Sequence, residues 1–163
     1  RAQALGDPAR GVTVSVGRFE GGTTRNTVPA EARCEVDLRF AAREDGARAA
    51  EAIARAAREA ALEGTRIEVA QVNARPALER TEASAALAEE YGACQREAGL
   101  GAGEAPLSGG GSDASVTGAA GVPSIDGLGP RGAGYHTRDE HVEMDSLVPK
   151  AAALALFLGR RAG

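Results

Sequence analysis

Few residues in this sequence could do chemistry, and three groups of them have a spacing worth following. The first is Gly132-Ala133-Gly134-Tyr135-His136-Thr137, followed by Glu140 and Val142-Glu143-Met144-Asp145. A histidine in a glycine loop after a short strand stands where ligands and catalytic groups commonly sit. Neutral imidazole is also the commonest protein donor to zinc. The plainer reading of His136 is a loop histidine that binds nothing. His141, beside Glu140, reads as an exposed side chain. The second group is Ser108-Gly109-Gly110-Gly111-Ser112-Asp113-Ala114. Three glycines let the backbone approach a ligand, and amides at a helix start favour an anion. No Gly-Lys-Ser/Thr follows, so this is not a phosphate loop, and Ser112 lacks the Gly-x-Ser-x-Gly spacing of a nucleophile elbow. By composition alone the stretch is a flexible linker. Asp113-Ala114-Ser115 leading into Val116-Thr117 makes it a structured loop-to-helix junction instead. The order Ser112, Asp126, His136 also permits a serine hydrolase, although all three fall within 25 residues and the elbow is absent. The third group is Asn26 in Arg-Asn-Thr-Val-Pro, Arg39 in Asp-Leu-Arg-Phe, and Arg75 in Ala-Arg-Pro-Ala. An arginine such as Arg39, projecting from the polar face of a strand, can grip a carboxylate with two hydrogen bonds. The competing reading pairs Arg39 with Asp37 or Glu35 on a solvated sheet face.

The elements that must carry these residues follow from periodicity. Val12-Thr13-Val14-Ser15-Val16 alternates as a half-buried strand does. In the next strand Cys34, Val36, Leu38 and Phe40 face one way, and Glu35, Asp37 and Arg39 the other. That row assigns Cys34 to the core. Residues 43–63 predict a helix, with Glu51 and Arg55 on a polar stripe and Ala50, Ile53, Ala57, Ala60 and Ala61 on a narrow apolar one. Gly64 stops it, and 66–70 predicts a third strand. The opening Arg-Ala-Gln-Ala-Leu reads as the end of a helix. The order helix end, strand, strand, helix, strand is most of a ferredoxin-like β-α-β-β-α-β unit. After Pro76 a second helix is predicted over 82–98, with Leu87, Tyr91, Cys94 and Ala98 on its core face. A short strand over 122–128 and a Gly/Pro loop over 129–134 come next. A last helix, capped by Asp145 and running to about Leu158, has no polar face and calls for cover from something larger.

Composition narrows the function classes. In 163 residues there are 19 basic and 23 acidic side chains, a net charge of −4, which argues against nucleic acid or an anionic membrane surface as partner. No apolar run approaches the ~18 residues of a membrane helix, and no leader pattern precedes the first strand. Two cysteines, Cys34 and Cys94, make neither a zinc cluster nor a disulfide scaffold. The default compartment is therefore the cytoplasm.

The ordered series Gly-Arg-Phe-Glu-Gly-Gly-Thr-Thr-Arg-Asn-Thr-Val-Pro (17–29), Glu-Val-Asp-Leu-Arg (35–39), Gly-Gly-Gly-Ser-Asp-Ala (109–114), Gly-Val-Pro-Ser-Ile-Asp-Gly-Leu-Gly (121–129) and Gly-Tyr-His-Thr (134–137) is far more specific than any one part. It resembles the C-terminal half of the zinc-dependent amidohydrolases of the M-twenty metallopeptidase family, nearest to its glutamate carboxypeptidase branch. The resemblance implies an α/β catalytic domain with two zinc ions and an inserted α+β lid. Residues 1–77 would be a partial ferredoxin-like lid and dimerisation domain (β-β-α-β), and residues 78–163 the last segment of the catalytic domain. It further implies that His136 is a metal ligand and that Asn26 supports the oxyanion. Arg39 and Arg75 would hold the substrate's carboxylate, and Gly110, Gly111 and Ser112 would line the site. The implied substrate is a small carboxylate-bearing peptide or N-acyl amino acid, and the implied partners are a second copy through the lid and the N-terminal half of the same protein. The family's other ligands and its glutamate base lie in that half. Here no His-x-Asp occurs and Glu89-Glu90 falls mid-helix, so the chain reads as part of a longer enzyme and as inactive alone. The alternative is a non-catalytic association module that pairs through an exposed strand edge such as Val12–Val16.

Overall fold

The computed structural model describes residues 2–162, with side chains from residue 4 onward. The chain divides into two compact units, Arg1–Glu79 and Arg80–Gly163. Two neighbouring residues explain the position of that division. The Glu79 carboxylate accepts the backbone N–H of Arg43 at 2.8 Å, which ties 79 to the first unit. Arg80 makes a two-pronged pair with Glu104 at 2.9–3.0 Å, which ties 80 to the second.

The first unit is a hairpin with one helix. Strand β1 (Thr13–Gly21) pairs antiparallel with β2 (Ala32–Arg39), and helix α1 (Arg43–Glu59) follows. A bulge between Val16 and Arg18 inserts Gly17 and re-phases the strand. Without it Phe19 would turn to the polar face; with it Val14, Val16 and Phe19 oppose Leu38, Val36 and Cys34. Val12, Gly46 and Ala49 are buried. The Phe40 ring lies so close to Gly46 that an added Cβ would sit 2.5 Å from it, so glycine is what lets the helix meet the strand's end. Helix α1 covers only that end. At the other end Phe19 is 77% exposed and its partner Cys34 is exposed too. This corrects the assignment of Cys34 to the core: its row is apolar, but among the described residues no layer reaches it.

Two further expectations change. The helix predicted to residue 63 ends at Glu59, and Gly64 (φ 78°) closes a separate turn in which Thr65 donates its N–H and hydroxyl to the Leu62 carbonyl. No strand forms over 66–70. A strand needs a neighbouring ladder for its backbone groups, and β1 pairs only with β2 among the described residues. Ala2–Leu5, read as a helix end, forms a 3-10 turn.

One ion cluster links the start of α1 to the chain before β1. Asp45 accepts from Arg48 and pairs also with Arg10, 35 residues away. The hydrogen bond from Arg48 is the main cause holding the Asp45 carboxyl below its ordinary range, with the Arg10 charge adding to it against partial burial. A carboxyl whose folded pKa is depressed stabilises the fold above its unfolded pKa of about 4 and loses that contribution as pH falls. Asp45→Asn is therefore expected to unfold at lower urea than the parent chain at pH 7, with the gap closing towards pH 3. A gap that stays constant across that range would rule the linkage out.

The second unit packs two helices. Helix α2 (Glu82–Glu97) opens with a capping box in which Thr81 Oγ1 accepts the Ser84 N–H at 3.1 Å and Ser84 Oγ accepts the Thr81 N–H at 2.9 Å. Its Tyr91 and Cys94 meet Ala153 and Phe157 of helix α4 (Met144–Ala162), with Leu87, Ala98, Leu100, Ile125 and Leu128 around them. The predicted face of the second helix is the one that is buried. The Tyr91 and Phe157 rings meet edge to face at 5.6 Å. Glu97 pairs with Arg160 and Glu90 with Arg161, which joins the two helices at their outer edge. Helix α4 starts one residue before Asp145, so Asp145 stands in its first turn and not at its cap. Its side away from α2 keeps Val148 at 77% and Leu158 at 57% exposure, in line with a helix that wants further cover. The strand predicted over 122–128 is absent; this segment has no ladder partner among the described residues, and Gly127 within it turns to φ 73°. The 129–134 loop instead contributes Gly132–Ala133 (β3), which pairs with His141–Val142 (β4).

Candidate active site

His136 sits at the turn of the small hairpin formed by β3 and β4. The base of that hairpin is tied three ways. The Arg131 side chain pairs with Glu143 at 2.6 Å, and the Glu143 N–H donates to the Arg131 carbonyl at 2.9 Å. Ser146, fully buried, accepts the Arg131 N–H through its hydroxyl, which itself donates to the Glu143 carbonyl at 2.6 Å. Ser146 thereby anchors the hairpin to the first turn of α4; nothing in its sequence context marks it. At the tip the backbone is drawn tight: a Cβ on Gly134 would stand 2.7 Å from the Asp139 carbonyl. His136 has φ 64°, a left-handed conformation that no other described non-glycine residue adopts. Its side chain is exposed, as is Tyr135. His141 places Nδ1 2.9 Å from the Asp139 carbonyl, so it braces the loop as well as lying at the surface.

The glycine segment leads into helix α3 (Ala114–Ala119) as a loop-to-helix junction. Gly110 and Gly111 are exposed and Ser112 is half-buried. Ser112 Oγ accepts the Ala114 N–H at 3.1 Å, and its carbonyl takes the Ser115 hydroxyl at 2.7 Å. Ser112, one residue before the cap position held by Asp113, thus closes a serine turn that leads into the helix.

In the first unit the other candidates are dispersed. Asn26 lies exposed in the connection over 22–31, where the Thr24 and Thr27 hydroxyls bond at 2.9 Å. Arg39 stands at the opposite end of the β1–β2 hairpin, opposite Thr13. The strand from Ala32 to Arg39 spans about 23 Å at ~3.3 Å per residue. Arg39 Nε donates to Asp37 at 2.8 Å, so the surface ion pair weighed for it is present. Arg75 is exposed in the extended segment that follows α1.

The donor set can be tested against zinc. A catalytic zinc takes about three protein ligands and keeps an open position. Among the described residues no three His, Cys, Asp or Glu side chains come together around a point that could hold an ion. An exposed imidazole on a fixed turn fits one position of such a site and no more.

Residues 2–65 match the family model described as a peptidase dimerisation domain. The chain is also similar to carboxypeptidase G2 of Pseudomonas sp. (strain RS-16), with 30% identity over 164 residues, covering 98% of this chain and 39% of that protein. The chain thus spans well under half the length of this relative. No described helix is long and apolar enough to cross a membrane.

Proposed function

This chain belongs to the M-twenty peptidase family, and from that premise we propose that the parent protein is a zinc-dependent hydrolase acting on an amide or peptide bond beside a substrate carboxylate. Carboxypeptidase and N-acyl-amino-acid deacylase activities both fall within this reading. The observation that carries it is similarity to a carboxypeptidase across 98% of the chain. Two zinc ions, when bound, would supply Lewis acidity and a water acidified towards neutral pH. His136 would donate one ligand through its neutral imidazole. The other ligands and the proton-accepting carboxylate would come from the part of the parent protein outside this chain, which alone would be inactive.

The remaining roles are those that the family resemblance implies. The Asn26 amide would donate to the carbonyl oxygen as negative charge grows on it, a contact strongest in the transition state. Arg39 and Arg75 would take the substrate carboxylate, each able to present two parallel N–H donors. Because Asn26 and Arg39 lie at opposite ends of one hairpin, a small substrate gripped by one is out of easy reach of the other within the same lid. Gly110, Gly111 and Ser112 would let the backbone close on the substrate. The dimerisation domain supports a homodimer, and the two open edges of the β1–β2 ribbon make pairing through the lid the natural route. The unpaired Cys34 and Cys94 suit a reducing compartment such as the cytoplasm.

The test is a substrate comparison with the intact protein. An N-acyl amino acid with a free carboxylate is expected to be cleaved with kcat/KM at least about a hundredfold above that of its carboxamide, because the neutral amide cannot accept two parallel charge-assisted N–H bonds from an arginine. Equal turnover of the two would reject carboxylate recognition, and activity unchanged by a chelator would reject the metal.

A further inference from the structure

We propose that Thr137 is a positioning residue: its hydroxyl fastens the loop that holds His136 in its left-handed conformation and so fixes where the imidazole points. This rests on the reading of His136 as a metal-binding histidine.

A histidine tolerates positive φ better than most residues, but it keeps that conformation only where its surroundings over-determine it. The surroundings here converge on Thr137. Its backbone N–H donates to the Gly134 carbonyl at 3.0 Å, and its hydroxyl donates to the same oxygen at 2.7 Å. The hydroxyl oxygen then accepts the Asp139 N–H at 3.2 Å. One hydroxyl therefore connects the chain two residues before His136 with the chain three residues after it. Gly134, with φ 74° and no room for a Cβ, lets the two sides approach closely enough for this to happen. The pairing of Gly132–Ala133 with His141–Val142 holds the hairpin stem, but no bond of that stem touches the turn itself. Without the hydroxyl, the Asp139 N–H loses its acceptor and the Gly134 carbonyl keeps one donor of two. The turn is then held only by the Thr137 N–H to the Gly134 carbonyl and the Glu140 N–H to the Thr137 carbonyl at 3.4 Å, so His136 returns more readily to negative φ, which swings its Cα–Cβ bond away from its present direction. Serine can make the same two hydrogen bonds; valine keeps the shape and makes neither.

The experiment compares Thr137→Val, Thr137→Ser and His136→Ala in the intact protein. It measures zinc affinity by competition with a chelator, kcat and KM separately, and the melting temperature. Thr137→Val is expected to bind zinc about 10–100-fold more weakly, the range seen when a ligand loses its supporting hydrogen bonds. Its kcat should fall while KM stays within about threefold, and Thr137→Ser should recover both zinc affinity and kcat. If the valine variant melts far below the parent, Thr137→Ala, which removes the hydroxyl without adding a branched apolar surface, takes its place. Parent-like zinc affinity in Thr137→Val, with affinity lost in His136→Ala, overturns the positioning role alone. Parent-like affinity in His136→Ala overturns the metal-binding reading and this proposal together.

Discussion

His136→Ala in the intact protein is expected to lower kcat/KM by well over a hundredfold and to weaken zinc binding in parallel. Disturbing a group that merely supports a metal ligand costs roughly 10–100-fold, and removing the ligand itself must cost more. The loop geometry adds a control that activity alone lacks. His136 is held at φ 64°, where alanine is strained and glycine is not. His136→Gly should therefore lose as much activity as His136→Ala while melting at the higher temperature of the two. Undiminished turnover in either variant would remove His136 from the site. Equal melting temperatures would show that the left-handed turn stores no strain worth relieving.

The second large effect concerns stability. Phe157→Ala is expected to cost about 3–5 kcal/mol, as truncation of a buried aromatic does. Phe157 is 8% exposed, meets Tyr91 edge-on, and carries the Arg161 guanidinium 5.5 Å above its ring. Its loss opens the centre of the α2–α4 contact, beside Tyr91, Cys94 and Ala153. In thermal melts this is a fall of at least about 10 °C. Phe19→Ala is the matched control: the same residue type, 77% exposed, expected to change stability by no more than about 0.5 kcal/mol. Similar losses from both would mean that the core is not where the contacts put it.

Local pattern was a good guide where neighbours in sequence are also neighbours in space. The face of α2 was readable because Leu87, Tyr91, Cys94 and Ala98 recur at helical spacing, and the hairpin face because Val36 and Leu38 alternate with Asp37 and Arg39. The pattern misled where a second element decides the outcome. Cys34 has the right alternation, but α1 packs at the other end of the hairpin, where Phe40 meets Gly46. Residues 66–70 and 122–128 have strand composition, but a strand exists only against a partner. Asp145 is a good capping residue set two places past the cap position, which Glu143 occupies. Arg39 shows the same limit at the site, since its type suits a carboxylate and its nearest one is Asp37 of its own strand.

The residues that shape the candidate site least visibly are those whose role is long-range. Glu79 satisfies a helix N–H 36 residues earlier in the chain. Ser146 ties the His136 hairpin to α4. Each is an ordinary polar residue in sequence, and only the fold gives it a partner. The bend at His136 was foreshadowed in sequence by Gly132 and Gly134 just before it, and the structure turns there.

The bare end of the β1–β2 hairpin also makes this chain a convenient object for spectroscopy. A thiol reagent meets Cys34 in the open and finds Cys94 sealed beneath Arg160 and the α2–α4 contact. A nitroxide or fluorophore would therefore attach at one defined place per chain, on a strand whose register is fixed, while Asn26, Arg39 and Arg75 keep their native side chains. Two such labels in an assembled pair would act as a molecular ruler between lids, with no cysteine to introduce and none to remove.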